Sequence, residues 1–127
     1  MKFTINSPIA AADICYLVVG AIEGGSSYWC RSYEHLVIPP DVPKDGVVPY
    51  GHPEFWEGDF VIKFTYDNPD DDGLISKEIR PENLQVGLQT FADKYPSHYG
   101  DWVSENYDAE TSDVFLQCLL LGDVVYG

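Results

Sequence analysis

The chain reads as an α+β domain, an antiparallel sheet of about three to four strands with helices packed on one face, and three observations predict it. Helical, strand and again helical apolar patterns follow one another along the sequence. Residues 60–66 alternate apolar and polar, then meet a turn-rich segment and a second strand pattern, which is a β-hairpin. From Arg80 onward apolar residues recur at helical spacing almost to the end. With 127 residues, one domain spanning 1–127 accounts for the whole chain.

The first helix is signalled by Ser7 as N-cap, Pro8 at the first helical position and Gly24-Gly25 as the stop. Between them Ala10, Ile14, Leu17, Val18, Ala21 and Ile22 keep a helical period. Residues 28–38, rich in aromatic and β-branched side chains, predict a strand. Strict alternation there places Cys30 and Glu34 on one face and Trp29, Arg31, Tyr33 and His35 on the other. Five prolines (39, 40, 43, 49 and 53) then impose a long ordered loop. In the hairpin Phe60, Ile62, Phe64 and Tyr66 point inward, and residues 74–80 form the return strand. Residues 82–94 predict a helix with Leu84, Leu88, Phe91 and Tyr95 on one stripe, and a shorter helix covers residues 97–105. Asp108 is the N-cap and Gly122 the stop of a final helix whose apolar face carries Val114, Phe115, Cys118, Leu119 and Leu121. Residues 124–126 are expected to return as a short strand.

Composition excludes several functions. Hydrophobic residues make up 45% and aromatics 14%, which argues against disorder. No apolar run approaches the roughly 18 residues of a membrane span. With 21 acidic and 7 basic residues, the formal net charge of −14 disfavours direct nucleic-acid binding, which draws on Lys and Arg. Three widely spaced cysteines, Cys15, Cys30 and Cys118, without a CxxC pair or a leader-like N-terminus, read as reduced thiols in a cytosolic protein. Cys15 and Cys118 read as small buried hydrophobes.

No cofactor or metal is called for. Asn68, Asp70, Asp72 and Gly73 match the first half of a calcium loop, but Ile79 stands where the bidentate carboxylate belongs, so a hairpin turn with solvated charges is the better account. His35, His52 and His98 lack zinc spacing, and Cys30 and His35 on opposite strand faces cannot share a metal. Ser26-Ser27 have neither a nucleophile elbow nor a base placed by spacing. An acid/base role for Glu23 or His35 lacks a visible partner.

Charge placement is more informative. Residues 95–127 contain Asp101, Glu105, Asp108, Glu110, Asp113 and Asp123 and no Lys or Arg. Such a face either serves solubility or matches a basic partner, because carboxylates spaced along helices imitate backbone phosphates and fit Lys/Arg grooves. We assign Asp101, Glu105, Asp108, Glu110 and Asp113 to this partner-binding face, with Trp102 as an aromatic anchor. The expected partner is a defence or nucleic-acid-handling protein with a basic surface. The alternative site is an aromatic pocket of Trp29, Arg31, Tyr33, Tyr50 and Trp56 that stacks a nucleotide or similar small-molecule signal.

Two stretches carry a resemblance. Residues 21–29 (AIEGGSSYW) and 108–117 (DAETSDVFLQ), with the ending GDVVYG, resemble a family of short proteins encoded by phages and related mobile elements. The proline-rich middle lies outside the resemblance, and no catalytic residue comes with it. The resemblance implies an accessory protein acting in the host cytosol by binding, such as an anti-CRISPR or anti-restriction inhibitor.

Overall fold

The computed structural model describes residues 9–127. Helix α1 (Ala11–Gly20) runs on into a single π-helical turn (Ala21–Gly25), and strand β1 (Cys30–Val37) follows. The proline-rich segment holds one 3-10 turn (Pro49–Gly51) and a short helix α2 (Pro53–Glu57). Strands β2 (Val61–Asp67) and β3 (Leu74–Ile79) precede helices α3 (Pro81–Lys94), α4 (Pro96–Val103) and α5 (Ala109–Leu121). The three strands form one antiparallel sheet in the order β1-β2-β3, so the fold is α+β as predicted. The proposed cap at Ser7 and Pro8 lies outside the described residues.

β2 alternates as its sequence demands, burying Ile62, Phe64 and Tyr66 on the face that carries the core. The opposite face holds a Thr65–Ser76 hydroxyl pair and the exposed Lys63–Glu34 ion pair. The turn between β2 and β3 closes through the Asn68 N–H to the Gly73 carbonyl, with Gly73 at φ 112. That conformation is open to glycine without strain.

β1 departs from strict alternation. Cys30 pairs with Tyr66 but Ser32 pairs with Thr65, so Arg31 is the extra residue of a β-bulge. The bulge shifts the phase: Cys30, Tyr33 and His35 stand opposite Tyr66, Phe64 and Ile62, all toward the core face. Cys30 and His35 therefore share a face, contrary to the alternation expected from sequence.

α5 is the central element. Residues 111–120 are all buried, including Thr111, Ser112, Asp113 and Gln117. The caps are those expected, with the Thr111 N–H donating to the Asp108 side chain and Gly122 left-handed at φ 76. The helical run ends at Gly25 as expected, but through a π-turn. The Ser26 N–H bonds the Ala21 carbonyl, widening the last turn. Gly25 is needed there because a Cβ would collide with the Ala109 carbonyl of α5.

The C-terminal segment forms no strand. Tyr126 instead lays its ring on Trp29, 5.2 Å between centroids, and its hydroxyl donates to the Asp67 carbonyl.

Candidate functional site

The predicted acidic face divides in two. Asp101, Glu105, Asp108 and Glu110 are exposed around the α4–α5 connection. Asp108 is engaged as the α5 cap, whereas Asp101, Glu105 and Glu110 pair with no Lys, Arg or His side chain among the described residues. Glu105 sits at φ 59, a left-handed conformation uncommon for a side-chain-bearing residue. Its N–H bonds the Trp102 carbonyl and the Asn106 N–H bonds the Asp101 carbonyl, the helix ending in which glycine is usual at the Glu105 position. Exposed Tyr16 and half-buried Tyr107 border this end. Burial, then the nearby charges of Asp13, Tyr16 and Glu105, raise the Tyr107 phenol above its ordinary value.

Asp113 and Trp102 do not belong to that surface. Trp102 is 4% exposed and lies against Phe91 and Tyr99, where its ring fills the space under α4. Asp113 is 8% exposed and collects four donors. Ser26 Oγ and Trp29 Nε1 donate to Oδ1 at 2.8 and 2.7 Å; Tyr28 Oη and Gln117 Nε2 donate to Oδ2 at 2.6 and 3.2 Å. A carboxylate taken from water needs such donors. Burial, followed by this carboxylate's acceptance of its hydrogen, pushes the Tyr28 phenol up to about 12. Gln117 Oε1 in turn accepts the Val125 and Tyr126 N–H groups. The cluster ties the segment after the π-turn, the middle of α5 and the C-terminal segment together.

The aromatic pocket also divides. Trp29, Tyr50 and Trp56 are buried core residues, filled around by other rings and so closed to a stacked base. Trp29 and Arg31 belong to the group around Asp67, in which Arg31 Nε and Nη2 hold both carboxylate oxygens at 2.9 and 2.6 Å. That guanidinium keeps the Asp67 carboxyl below its usual range. Tyr33, Tyr50 and Trp56 form the other group, with Trp56 Nε1 donating to the Tyr50 carbonyl. Here the Tyr50 N–H donates to His35 Nε2 at 3.2 Å, so that nitrogen carries the lone pair and the imidazole is neutral. Burial lowers the His35 pKa accordingly.

Glu23 joins this second group. The Tyr50 hydroxyl donates to Glu23 Oε2 at 3.0 Å across 27 residues of sequence. Burial, with that carboxylate next, raises the Tyr50 phenol well above its ordinary value. Sequence reasoning singled out Glu23 and His35 without finding a partner. The partner is one tyrosine from the proline-rich segment, and no spacing rule links three residues on separate elements.

All three cysteines are free thiols, with Cys15 and Cys118 buried as expected. Burial pushes Cys30 and Cys118 up to about 11, which keeps them protonated and unreactive near neutrality. Among the described residues no group of three or more His, Cys, Asp or Glu side chains is gathered for a metal, and no helix is long and apolar enough to cross a membrane. No protein-family model, curated protein or solved structure matches the chain.

Proposed function

We propose that this is a small phage-type accessory protein that works by binding in the host cytosol, an anti-defence inhibitor whose acidic end engages the basic, nucleic-acid-binding surface of a host protein. One observation carries the reading: Asp101, Glu105 and Glu110 stand exposed at one end with no cationic partner among the described residues, in a stretch without Lys or Arg. Unpaired carboxylates flanking a helical connection present negative charge in the way a phosphate backbone does, and tyrosines beside them stack on arginine. Glu105 supports the reading further. A carboxylate kept where the backbone favours glycine is the kind of local strain that accompanies function.

Electrostatic docking of this kind is fast and sensitive to salt. The test is capture of the host target on the immobilised protein at low and high salt, with competition by duplex DNA or guide-like RNA. A nucleic-acid-handling protein that is released by salt and displaced by nucleic acid supports the reading. Retention of the same partner by the combined Asp101→Lys, Glu105→Lys and Glu110→Lys variant overturns it.

A further inference from the structure

We infer that the junction of Glu23, Tyr50 and Tyr33 is a receptor site for a guanidinium group, presented as an arginine side chain within an apolar segment of a partner protein. The carboxylate comes first. Glu23 is exposed on the π-turn and has no Lys, Arg or His within ion-pair distance among the described residues. It is nevertheless not free to rotate, because Oε2 accepts from the hydroxyl of Tyr50, a residue only 3% exposed and fixed through its own backbone to His35 and Trp56. Among the described residues no protein donor reaches Oε1, and a carboxylate oriented in this way is matched by the two-pronged guanidinium edge.

The aromatic wall comes second. Tyr33 stands perpendicular to both Tyr50 and His35, with centroids 5.0 and 5.5 Å away, so its position is set from behind while 38% of it remains open to solvent. A planar, weakly hydrated cation stacks on such a ring, which favours arginine over lysine.

The flanks come third. Leu36 and Val37 at the end of β1, and Val47 and Val48 just before Tyr50, are all exposed. The Tyr50–His35 hydrogen bond brings these two segments beside each other. An arginine with aliphatic neighbours covers them, whereas an anion is repelled by a chain of net charge −14. π-Helical turns recur at functional sites, and here the widened turn carries Glu23 next to Tyr50. This site stands on its own geometry and does not rest on the acidic end.

The test is an NMR titration of the full chain with acetyl-Leu-Arg-Leu-amide and with its citrulline counterpart, which keeps the shape and removes the charge. The arginine peptide should bind saturably, with shifts centred on Glu23, Tyr33 and Tyr50. Citrulline, or the fold-neutral Glu23→Gln variant, should weaken binding at least about tenfold, the scale of a lost charge-assisted hydrogen-bonded pair. Tyr33→Leu should weaken it about threefold, as expected for one exposed cation–π contact. The variant with lysine at 101, 105 and 110 should keep shifts at Glu23, Tyr33 and Tyr50, which separates this site from the acidic end. Equal binding of the citrulline peptide, shifts confined to other residues, or no saturable binding of the arginine peptide overturns the assignment.

Discussion

Glu110 and Asp113 are one helical turn apart on α5, yet one carboxylate faces solvent without a cation and the other is enclosed by four donors. The two lie on neighbouring turns of one face, and the difference is in what each turn meets. Glu110 projects from the outer first turn, where a negative group also complements the helix N-terminus. Asp113 projects toward the segment after the π-turn, where Ser26, Tyr28 and Trp29 supply hydrogen-bond donors and no positive charge. A run of acidic residues is thus two devices: an exposed end suited to a partner, and an internal clasp that holds three segments of chain together.

Substitution at the clasp should have the largest effect. Asp113→Ala strands the Trp29 indole N–H and the Ser26 hydroxyl, and should destabilise the fold by about 3–5 kcal/mol, read by chemical denaturation. Asp113→Asn keeps one acceptor oxygen and should cost roughly half as much. Gly25→Ala forces the π-turn away from the Ala109 carbonyl, and should cost about 1–3 kcal/mol in the same measurement, as overfilling of a close contact does. The exposed end should behave in the opposite way. Glu105→Gly relieves a left-handed side-chain-bearing residue and should stabilise by about 0.5–1 kcal/mol while weakening partner binding. A variant in which stability and binding fall together would place Glu105 with the clasp rather than with the surface. Asp101→Lys and Glu110→Lys should each move stability by no more than about 0.5 kcal/mol.

Titration probes a group held inside the fold in its neutral form, His35. Burial lowers the His35 pKa, so the unfolded chain takes up a proton near pH 6.5 while the folded chain resists it. The contribution is whole above that pH and is lost as pH falls through the lowered native value. His35→Gln keeps an acceptor for the Tyr50 N–H and does not titrate, so its stability should fall less than that of the parent between about pH 7 and 5. Parallel losses in the two proteins would remove His35 from the account of the pH dependence.

Local rules read correctly wherever one residue decides the outcome. Asp108 and Gly122 cap α5, and the alternation from Phe60 to Tyr66 sets the face of β2. They fail where a distant group decides. The bulge at Arg31 reverses the facing of its neighbours, and periodicity does not register one inserted residue. Gly24-Gly25 end the helical run where they were read to, but the reason Gly25 must be glycine, the backbone of α5, lies more than 80 residues away. Asp113 read as surface because α5 was expected to bury one side and instead is surrounded, and Trp102 read as surface because its packing on Phe91 of α3 leaves no mark in the local pattern of α4. The aromatic pocket read as one site because its members are close in kind, while packing divides them between the Asp67 and Tyr50 groups.

The clasp also sets an order of events during synthesis. Ser26 and Trp29 are 87 and 84 residues ahead of Asp113, so their hydrogen-bond acceptor does not yet exist when they leave the ribosome. At about 5–20 residues per second, the wait is roughly 4 to 17 seconds. For that interval Trp29 lacks both its carboxylate and the Tyr126 ring that later covers it. The β2–β3 hairpin closes from neighbouring residues within the same period. The hairpin is therefore made before α5 arrives, and α5 closes the clasp over segments that are already in place.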